Sequence, residues 1–229
     1  MKTIAIALGL AALLVAPAAS AGDEVAPPTK SSHGRFVHDG FYLRMSAGVG
    51  AFTSRNVVNG SAENQPTFSG GGSALELSIG GAIRPGFVLA ATGLLQSSLV
   101  GSIQDEAGKT TLTRRHDFAL VGPTFDFFPW PRGGFHVLAT FGPALMGDYR
   151  DDRIQKTWTT RAGGGFSLGA GYDAWVSDNW SLGFLVRVTG ATLGGTERTY
   201  KDDQAYTVTQ PETQRSIGAI SLTFTALYN

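Results

Sequence analysis

The sequence predicts an all-β fold: an eight-stranded antiparallel up-and-down transmembrane β-barrel, preceded by a cleaved signal peptide. Three observations lead to this fold class: residue alternation with a period of two, connections that alternate between short and long, and an apolar segment at the N-terminus. The composition agrees, because 31 of the 229 residues are Gly and only 16% are charged. Soluble domains average about 7% Gly and about 25% charged residues.

The first 21 residues have the layout of a signal peptide. Lys2 gives a short positive start, residues 4–15 are almost entirely apolar, and Ala19-Ser20-Ala21 matches the small-x-small cleavage pattern. The apolar stretch is shorter than the roughly 20 residues that a spanning helix needs. The sequence therefore divides into a signal peptide (1–21), a flexible leader (22–39) that has neither the helix nor the strand period, and the barrel (40–229).

Charge and cysteine content exclude several classes of protein. Basic and acidic residues number 18 each, so the chain has no general electrostatic attraction for nucleic acid, and we expect no nucleic-acid partner. The absence of Cys from the sequence excludes disulfides, thiolate zinc sites, iron–sulfur clusters and thiol catalysis. We expect no cofactor and no metal site.

Alternation of apolar residues with small or polar ones predicts the strands. Every odd position is apolar in residues 41–51 and 75–80, and every even position is apolar in 166–173, 180–188 and 220–228. Three further strands are predicted at 86–104, 111–128 and 134–146. Their alternation is less regular, because Leu94, Leu120 and Leu138 lie on the less apolar face.

The connections between these strands alternate strictly in length. Tight turns are predicted at residues 84–86, 130–133 and 177–179, whereas segments 53–72, 147–162 and 194–214, and the hairpin tip near 107–108, extend the other end. Short turns are periplasmic and long loops extracellular in bacterial outer-membrane barrels. The pattern therefore predicts a location in the bacterial cell outer membrane, with the loops extracellular and the turns periplasmic.

The composition of the less apolar face distinguishes a membrane barrel from a soluble one. In a soluble barrel this face meets water and should be rich in Lys and Glu, but here it consists mainly of Gly, Ser, Thr and Ala. Small residues suit the narrow interior of eight strands, so the apolar face is predicted to contact lipid. The aromatic residues toward the turns are predicted to form an interfacial girdle: Phe41, Phe87, Phe125, Phe127, Trp130, Phe135, Tyr172, Trp180 and Tyr228.

Seven charged residues share the parity of the interior face: Arg44, Glu76, Arg84, Asp126, His136, Asp173 and Arg187. All of them except Arg84 form the candidate site. Charges in so narrow a barrel must pair or be solvated by trapped water, so we expect a polar network that plugs the lumen. Glu76 and Arg187 lie at similar heights above their turns and are expected to pair. Pairing of Arg44 with Asp126 or Asp173 is the alternative, and a path for protons or ions is another interpretation of the same residues.

The last strand, residues 218–228, looks like the terminal assembly signal of small outer-membrane barrels, although Asn229 follows where such barrels commonly end on an aromatic residue. With the signal peptide, eight strands and alternating connections, this segment makes residues 40–229 resemble the small OmpA/OmpX-like outer-membrane β-barrel family. The resemblance implies the fold, and outer-membrane lipid and the barrel-assembly machinery as partners. Function varies within such a family and does not transfer with the fold.

We expect a structural or interaction protein, not an enzyme, whose loops bind an extracellular ligand. A narrow pore for ions or small solutes, a membrane-embedded lipid-modifying enzyme and a soluble periplasmic carrier are the alternatives. The enzyme alternative rests on His116 with Asp117, which resembles the pair in lipid A acylhydrolases and acyltransferases, but no His-x-Ser motif accompanies it. The acidic run 148–153 contains two Arg, which favours self-paired charges over a calcium site.

We predict that the mature chain begins at Gly22 and fractionates with the outer membrane. Unboiled samples should migrate anomalously in gels, because a closed barrel resists denaturation. N-terminal sequencing and electrophoresis of the membrane fraction check both statements. Recovery of the protein in the soluble periplasmic fraction would contradict the assignment of the apolar face to lipid.

Overall fold

The computed structural model describes residues 36–58, 67–105, 108–112, 115–151, 156–194, 196–201, 204–209 and 213–229. The predicted signal peptide and most of the predicted leader lie outside these residues. Among the described residues there is no helix that is long and apolar enough to cross a membrane. The strands are β1 (Phe41–Val58), β2 (Thr67–Arg84), β3 (Phe87–Asp105), β4 (Gly108–Leu112), β5 (Arg115–Phe127), β6 (Phe135–Asp151), β7 (Lys156–Trp175), β8 (Trp180–Leu193), β9 (Thr196–Lys201), β10 (Gln204–Thr209) and β11 (Thr213–Tyr228).

Eight of these strands close an antiparallel barrel, as the sequence predicted. β1 pairs with β2 on one side and with β11 on the other, and β3, β5, β6, β7 and β8 complete the circuit. The pairing register can be traced from Arg44 of β1 to its partner Ser78 on β2, from there to Thr92 on β3, and so on around the barrel. The trace returns to β1 at Ser54, ten residues further along the strand. Such a stagger means that the strands tilt relative to the barrel axis.

The strands continue well past the predicted boundaries at the end where the loops lie, which we call the loop end. β1 runs to Val58 although its alternation stops at residue 51, and most of the segments predicted as long loops belong to β2, β6, β7, β9 and β10. The predicted strand 111–128 is divided between β4 and β5. Period two was not visible in these extensions, because neither face there carries a regular apolar row, while the backbone ladder continues.

The exterior of the barrel carries the large apolar side chains. In β8 every second residue from Ser181 to Thr189 is buried, while Leu182, Phe184, Val186 and Val188 between them are exposed. The same alternation places Met45, Val49, Leu77, Ile79, Leu168 and Leu222 outside. The face that the sequence predicted to contact lipid is therefore the outer face.

The predicted girdle residues lie on this outer face near the tight turns, at what we call the turn end. Trp130 and Tyr172 are the most exposed of them, at 66% and 61%, and Phe41, Phe125, Phe127, Phe135 and Trp180 are also exposed. Phe87 and Tyr228 are half-buried, and Tyr228 packs edge-on against Trp180 with ring centroids 5.2 Å apart. Their role as an interfacial girdle stays a prediction.

The interior differs from the predicted polar lumen in its loop-end half, which is apolar. Eleven buried side chains form one cluster there: Phe52, Phe68, Leu94, Phe118, Leu120, Ala144, Met146, Ala191, Leu193, Ile217 and Ala219. Leu94 and Leu120, which disturbed the alternation of the sequence, are members of this cluster. They point inward because the strand parity requires it, and most of the buried charged and hydroxyl side chains lie between this cluster and the turn end.

The predicted flexible leader also differs from the structure where the two can be compared. Residues 22–35 lie outside the described residues, and for them flexibility stays a prediction. His38 is completely buried, its backbone N–H donates to the Pro131 carbonyl (3.0 Å), and its carbonyl accepts from the Gly86 N–H (2.8 Å). This segment packs without regular secondary structure, so no periodicity could reveal it.

Two prolines interrupt the ladder between β5 and β6. The register runs continuously to Leu120 opposite Ala144 and resumes at Thr124 opposite Thr140. Between these rungs lie Pro123 and Pro143, which have no N–H to donate. The interior positions of the gap are Gly122 and Gly142, and a Cβ on either would overlap a carbonyl oxygen of the facing strand.

Leu77→Lys is expected to lower the free energy of unfolding by about 2–4 kcal/mol, because Leu77 lies on the exterior near the middle of the apolar belt. Ile83→Lys, on the same face of β2 but beside the tight turn, should lose only about 0–1 kcal/mol. Urea titrations of the protein folded into lipid vesicles measure both values. Equal losses would mean that depth in a bilayer does not determine the free energy at these positions.

Candidate functional site

The six charged residues of the candidate site all lie in the interior, and each comes from a different strand. None of the six is more than 6% exposed. Arg84, which shares their parity, is exposed beside the tight turn instead. Arg44 is on β1, Glu76 on β2, Asp126 on β5, His136 on β6, Asp173 on β7 and Arg187 on β8. Strand parity alone therefore brings them onto one continuous inner surface.

Glu76 and Arg187, the pair expected from their heights, are in contact. Arg187 Nη2 donates to Glu76 Oε2 (2.5 Å), and both side chains are 1% exposed. The second nitrogen, Nη1, lies within hydrogen-bonding distance of Thr140 Oγ1 (3.2 Å) and Ser167 Oγ (3.3 Å). The guanidinium is thus held by a carboxylate and by two hydroxyls from neighbouring strands.

A row of hydroxyl groups follows the wall beside this pair. Ser78 Oγ donates to Glu76 Oε1 (2.9 Å) and lies 2.8 Å from Thr92 Oγ1. The row continues from Thr92 to Thr124 and from Thr124 to Thr140, with 2.6 Å between oxygens in each step. Because a hydroxyl both donates and accepts, the row connects Glu76 back to the residues that hold Arg187.

A second group of charges surrounds Asp126, nearer the turn end. Arg44 Nη2 and the Tyr42 hydroxyl (2.8 Å) both donate to Asp126 Oδ2. His136 Nδ1 lies 2.9 Å from the other oxygen, Oδ1, and His136 Nε2 lies 3.3 Å from Asp173 Oδ2. The alternative pairing of Arg44 with Asp126 is therefore present together with the Glu76–Arg187 pair, while Asp173 meets this group through His136.

The two groups of charges form one interior ion-pair network. Arg44 Nη1 is 3.9 Å from Glu76 Oε1, which joins them. The three carboxylates of Glu76, Asp126 and Asp173 thus lie against two guanidiniums and the His136 imidazole. These contacts matter because a buried charge without a partner is strongly destabilising.

His116 and Asp117, the pair on which the enzyme alternative rests, do not meet. Successive residues of a strand point to opposite faces. Asp117 turns outward and accepts from Ser97 Oγ (2.5 Å) and Arg115 Nε (3.0 Å), whereas His116 is buried inside.

The actual partner of the His116 imidazole is Asp148 on β6, which contacts Nδ1. Arg215 of β11 reaches across the interior to the other carboxylate oxygen of Asp148 (2.7 Å) and to Asn56 Oδ1 (3.0 Å). These residues form a polar bridge above the apolar cluster. Asp148 lay in the predicted loop 147–162, and Arg215 lay between the predicted loop 194–214 and the predicted last strand. Continuing the strand parity to these two positions would have placed both inside.

No metal site emerges among the residues that the structure describes, since no three or more His, Asp or Glu side chains are grouped to hold an ion. The expectation of no metal or cofactor stays a prediction.

No family model matches the sequence, and no curated protein matches it. The fold is similar to those of solved bacterial outer-membrane proteins. The outer-membrane protein AlkL matches at 13% identity over 90% of this chain and 96% of its own, with a TM-score of 0.48. OprG from Pseudomonas aeruginosa matches at 11% identity over 86% and 100%, with a TM-score of 0.47. The protease OmpT from Escherichia coli matches at 11% identity over 86% and 99%, with a TM-score of 0.43.

Overlaps of this size carry no information about activity. The predicted resemblance to small outer-membrane barrels is confirmed at the level of the fold, and it rests on the closed circuit of eight antiparallel strands in the chain itself.

Glu76→Gln and Arg187→Gln are each expected to lower the free energy of unfolding by about 3–5 kcal/mol, because each leaves its partner as an unpaired buried charge. The double variant should lose less than the sum of the two, with a coupling energy of about 0.5–3 kcal/mol. Unfolding of the four proteins from lipid vesicles gives the cycle.

The exposed pair Arg115 and Asp117 is the matched control for this cycle, since an exposed ion pair couples by about 1 kcal/mol or less. Additive losses at Glu76 and Arg187 would show that water solvates the two charges independently.

Proposed function

We propose that the protein is an integral outer-membrane barrel with a closed interior, and that it has a structural or interaction role in which its loop end meets the medium. The observation that carries this proposal is the interior ion-pair network. Its guanidiniums, Arg44 and Arg187, are the two largest fully buried side chains among the described residues, and each lies across the lumen against a carboxylate.

The distribution of polarity supports a membrane location. The exterior exposes a belt of Leu, Ile, Val and Phe, while the charged residues of the ion-pair network lie inside. A soluble protein rarely exposes an apolar patch larger than a few hundred Å². Lipid chains around the belt would keep this apolar surface away from water. A closed barrel also suits a membrane, because its backbone groups pair within the sheet.

The lengths of the two ends support the orientation. Three tight turns join strands at the turn end, whereas the strands and the β9–β10 hairpin extend at the loop end. By analogy with bacterial barrels the turn end is periplasmic and the loop end extracellular. In this orientation the partners are outer-membrane lipid, the barrel-assembly machinery during folding, and an extracellular ligand at the loop end.

The alternatives receive less support from the geometry. A pore needs a continuous polar path, but the apolar cluster that includes Phe52, Phe118 and Leu120 fills the interior above the ion pairs. A catalytic histidine needs a nucleophile or substrate at its free nitrogen. Asp148 holds Nδ1 of His116, and the other nitrogen, Nε2, is buried with no hydrogen-bond partner among the described residues.

We predict that the purified wild-type protein produces no stable unitary conductance in planar lipid bilayers. The physical reason is that neither water nor ions can pass the paired guanidiniums and the apolar cluster without disrupting them. The measurement is single-channel recording after insertion has been verified by gel migration of the reconstituted protein.

A reproducible conductance would contradict the closed interior. The ion selectivity of that conductance would then be compared in Arg187→Gln and in Arg115→Gln. A change in Arg187→Gln alone would identify a pore through the barrel, because Arg187 lies in the lumen and Arg115 on the exposed rim.

A further inference from the structure

Residues 36–39 close the turn end of the barrel, and we call this segment the cap. The ring of His38 stacks on Phe128 with centroids 3.7 Å apart and on Trp175 with centroids 4.6 Å apart. Phe128 in turn stacks on His136, at 4.9 Å. A column of four rings therefore leads from the end of β7 to the interior ion-pair network.

The backbone holds the cap in this position at several points. His38 bonds through its N–H to Pro131 and through its carbonyl to Gly86, which come from two different tight turns. Phe36 packs edge-on against Trp175, with centroids 5.8 Å apart. Its φ of 58° lies in the left-handed region, which a residue with a side chain rarely adopts unless its surroundings hold it there.

The imidazole of His38 is the only part of the cap that can change its charge inside the barrel. Neither ring nitrogen has a well-aligned hydrogen bond within the described residues. The polar groups that face the ring are the Asn229 side chain and the Gly133 backbone, with the carboxylates of Asp126 and Asp173 further inside. On its own segment the neighbouring charge is Asp39.

Two opposing effects act on a proton at this ring. Stacking on Phe128 and Trp175 and attraction to the interior carboxylates favour the charged form, whereas removal from water disfavours it. Arg44 and His136 already contact these carboxylates, which weakens the attraction of the carboxylates for a proton on His38. Burial is the larger effect and lowers the pKa of His38 below its ordinary value.

We propose that the cap is a pH-dependent closure of the turn end, docked while His38 is neutral and released when the imidazole takes up a proton. Release exposes Phe128 and the lower part of the ion-pair network to water from the turn side. The ion pairs and the apolar cluster stay in place. The cap therefore controls access of water to Asp126, His136 and Asp173, and not the passage of solutes.

The direction of the pH dependence follows from the lowered pKa. Above about pH 6.5, the ordinary pKa of His, both docked and released states are neutral and docking is at its strongest. As the pH falls below that value the released state gains protons first, and docking weakens by about tenfold for each pH unit until the docked pKa is reached. Acidification therefore opens the cap.

Hydrogen exchange of two amides tests the proposal in the full-length protein reconstituted in lipid nanodiscs. The His38 and Gly86 amides bond within the closed cap, to Pro131 and to His38. Their NMR protection factors, which correct for the intrinsic effect of pH on exchange, are measured from about pH 7.5 to about pH 5. Both should fall below about pH 6.5, by up to about tenfold per pH unit, until the docked pKa is reached.

A control amide and two variants make the result specific. The Gly194 amide, which bonds to the Ala162 carbonyl at the loop end, should keep its protection throughout. His38→Phe retains a stacked ring that cannot titrate, so its Gly86 amide should be protected equally at every pH. His38→Ala removes the ring and should leave that amide weakly protected even above about pH 6.5.

Three outcomes would overturn the proposal. Constant protection of the His38 and Gly86 amides in the wild type would make the cap a permanent plug. The same pH-dependent loss in His38→Phe would mean that another group drives release. A parallel loss at Gly194 would mean that the whole barrel responds to pH.

Discussion

The closed backbone ladder is the constraint on which the other features depend. A strand in hydrocarbon must satisfy every N–H and C=O within the sheet, so the sheet has to close on itself. Eight strands with a stagger of ten residues enclose an interior that side chains can fill. Once the wall is closed, successive residues of a strand alternate between lipid outside and a narrow lumen inside. Within the apolar belt the charged residues therefore lie in the lumen.

The interior meets this constraint in layers of different chemistry. At the turn end lie the cap and its stacked rings, and in the middle guanidiniums pair with carboxylates. Toward the loop end Phe, Leu and Met side chains pack together beneath the polar bridge. Apolar packing throughout could give a barrel of equal or greater stability. The ion pairs instead connect strands that are not neighbours in the sheet, because Glu76 on β2 meets Arg187 on β8 and Arg44 on β1 meets Asp126 on β5 across the lumen.

The sequence predicted the parts of the fold in which lipid imposes a pattern. Residues 41–51 and 180–188 alternate because one face meets lipid and the other the lumen, and the parity of that pattern identified all six members of the ion-pair network. The pattern fades where a strand rises beyond the belt, so the ends of β1 and β6 were predicted as loops and Asp148 was not placed in the interior. Leu94 appeared as an irregularity because the positions that face the lumen were expected to carry small or polar side chains. The cap has no period at all, and packing alone reveals it.

The interrupted ladder between β5 and β6 has a consequence for how this sequence can vary. Pro123 and Pro143 leave the carbonyl oxygens opposite them without the N–H groups that a ladder would provide, and those oxygens occupy the space into which a Cβ of Gly122 or Gly142 would project. The backbones of the two strands can approach so closely only while these two positions bear no side chain. In this segment the wall between β5 and β6 therefore depends both on residues that lack an N–H and on residues that lack a side chain, and a larger residue at Gly122 or Gly142 would push the facing strand away.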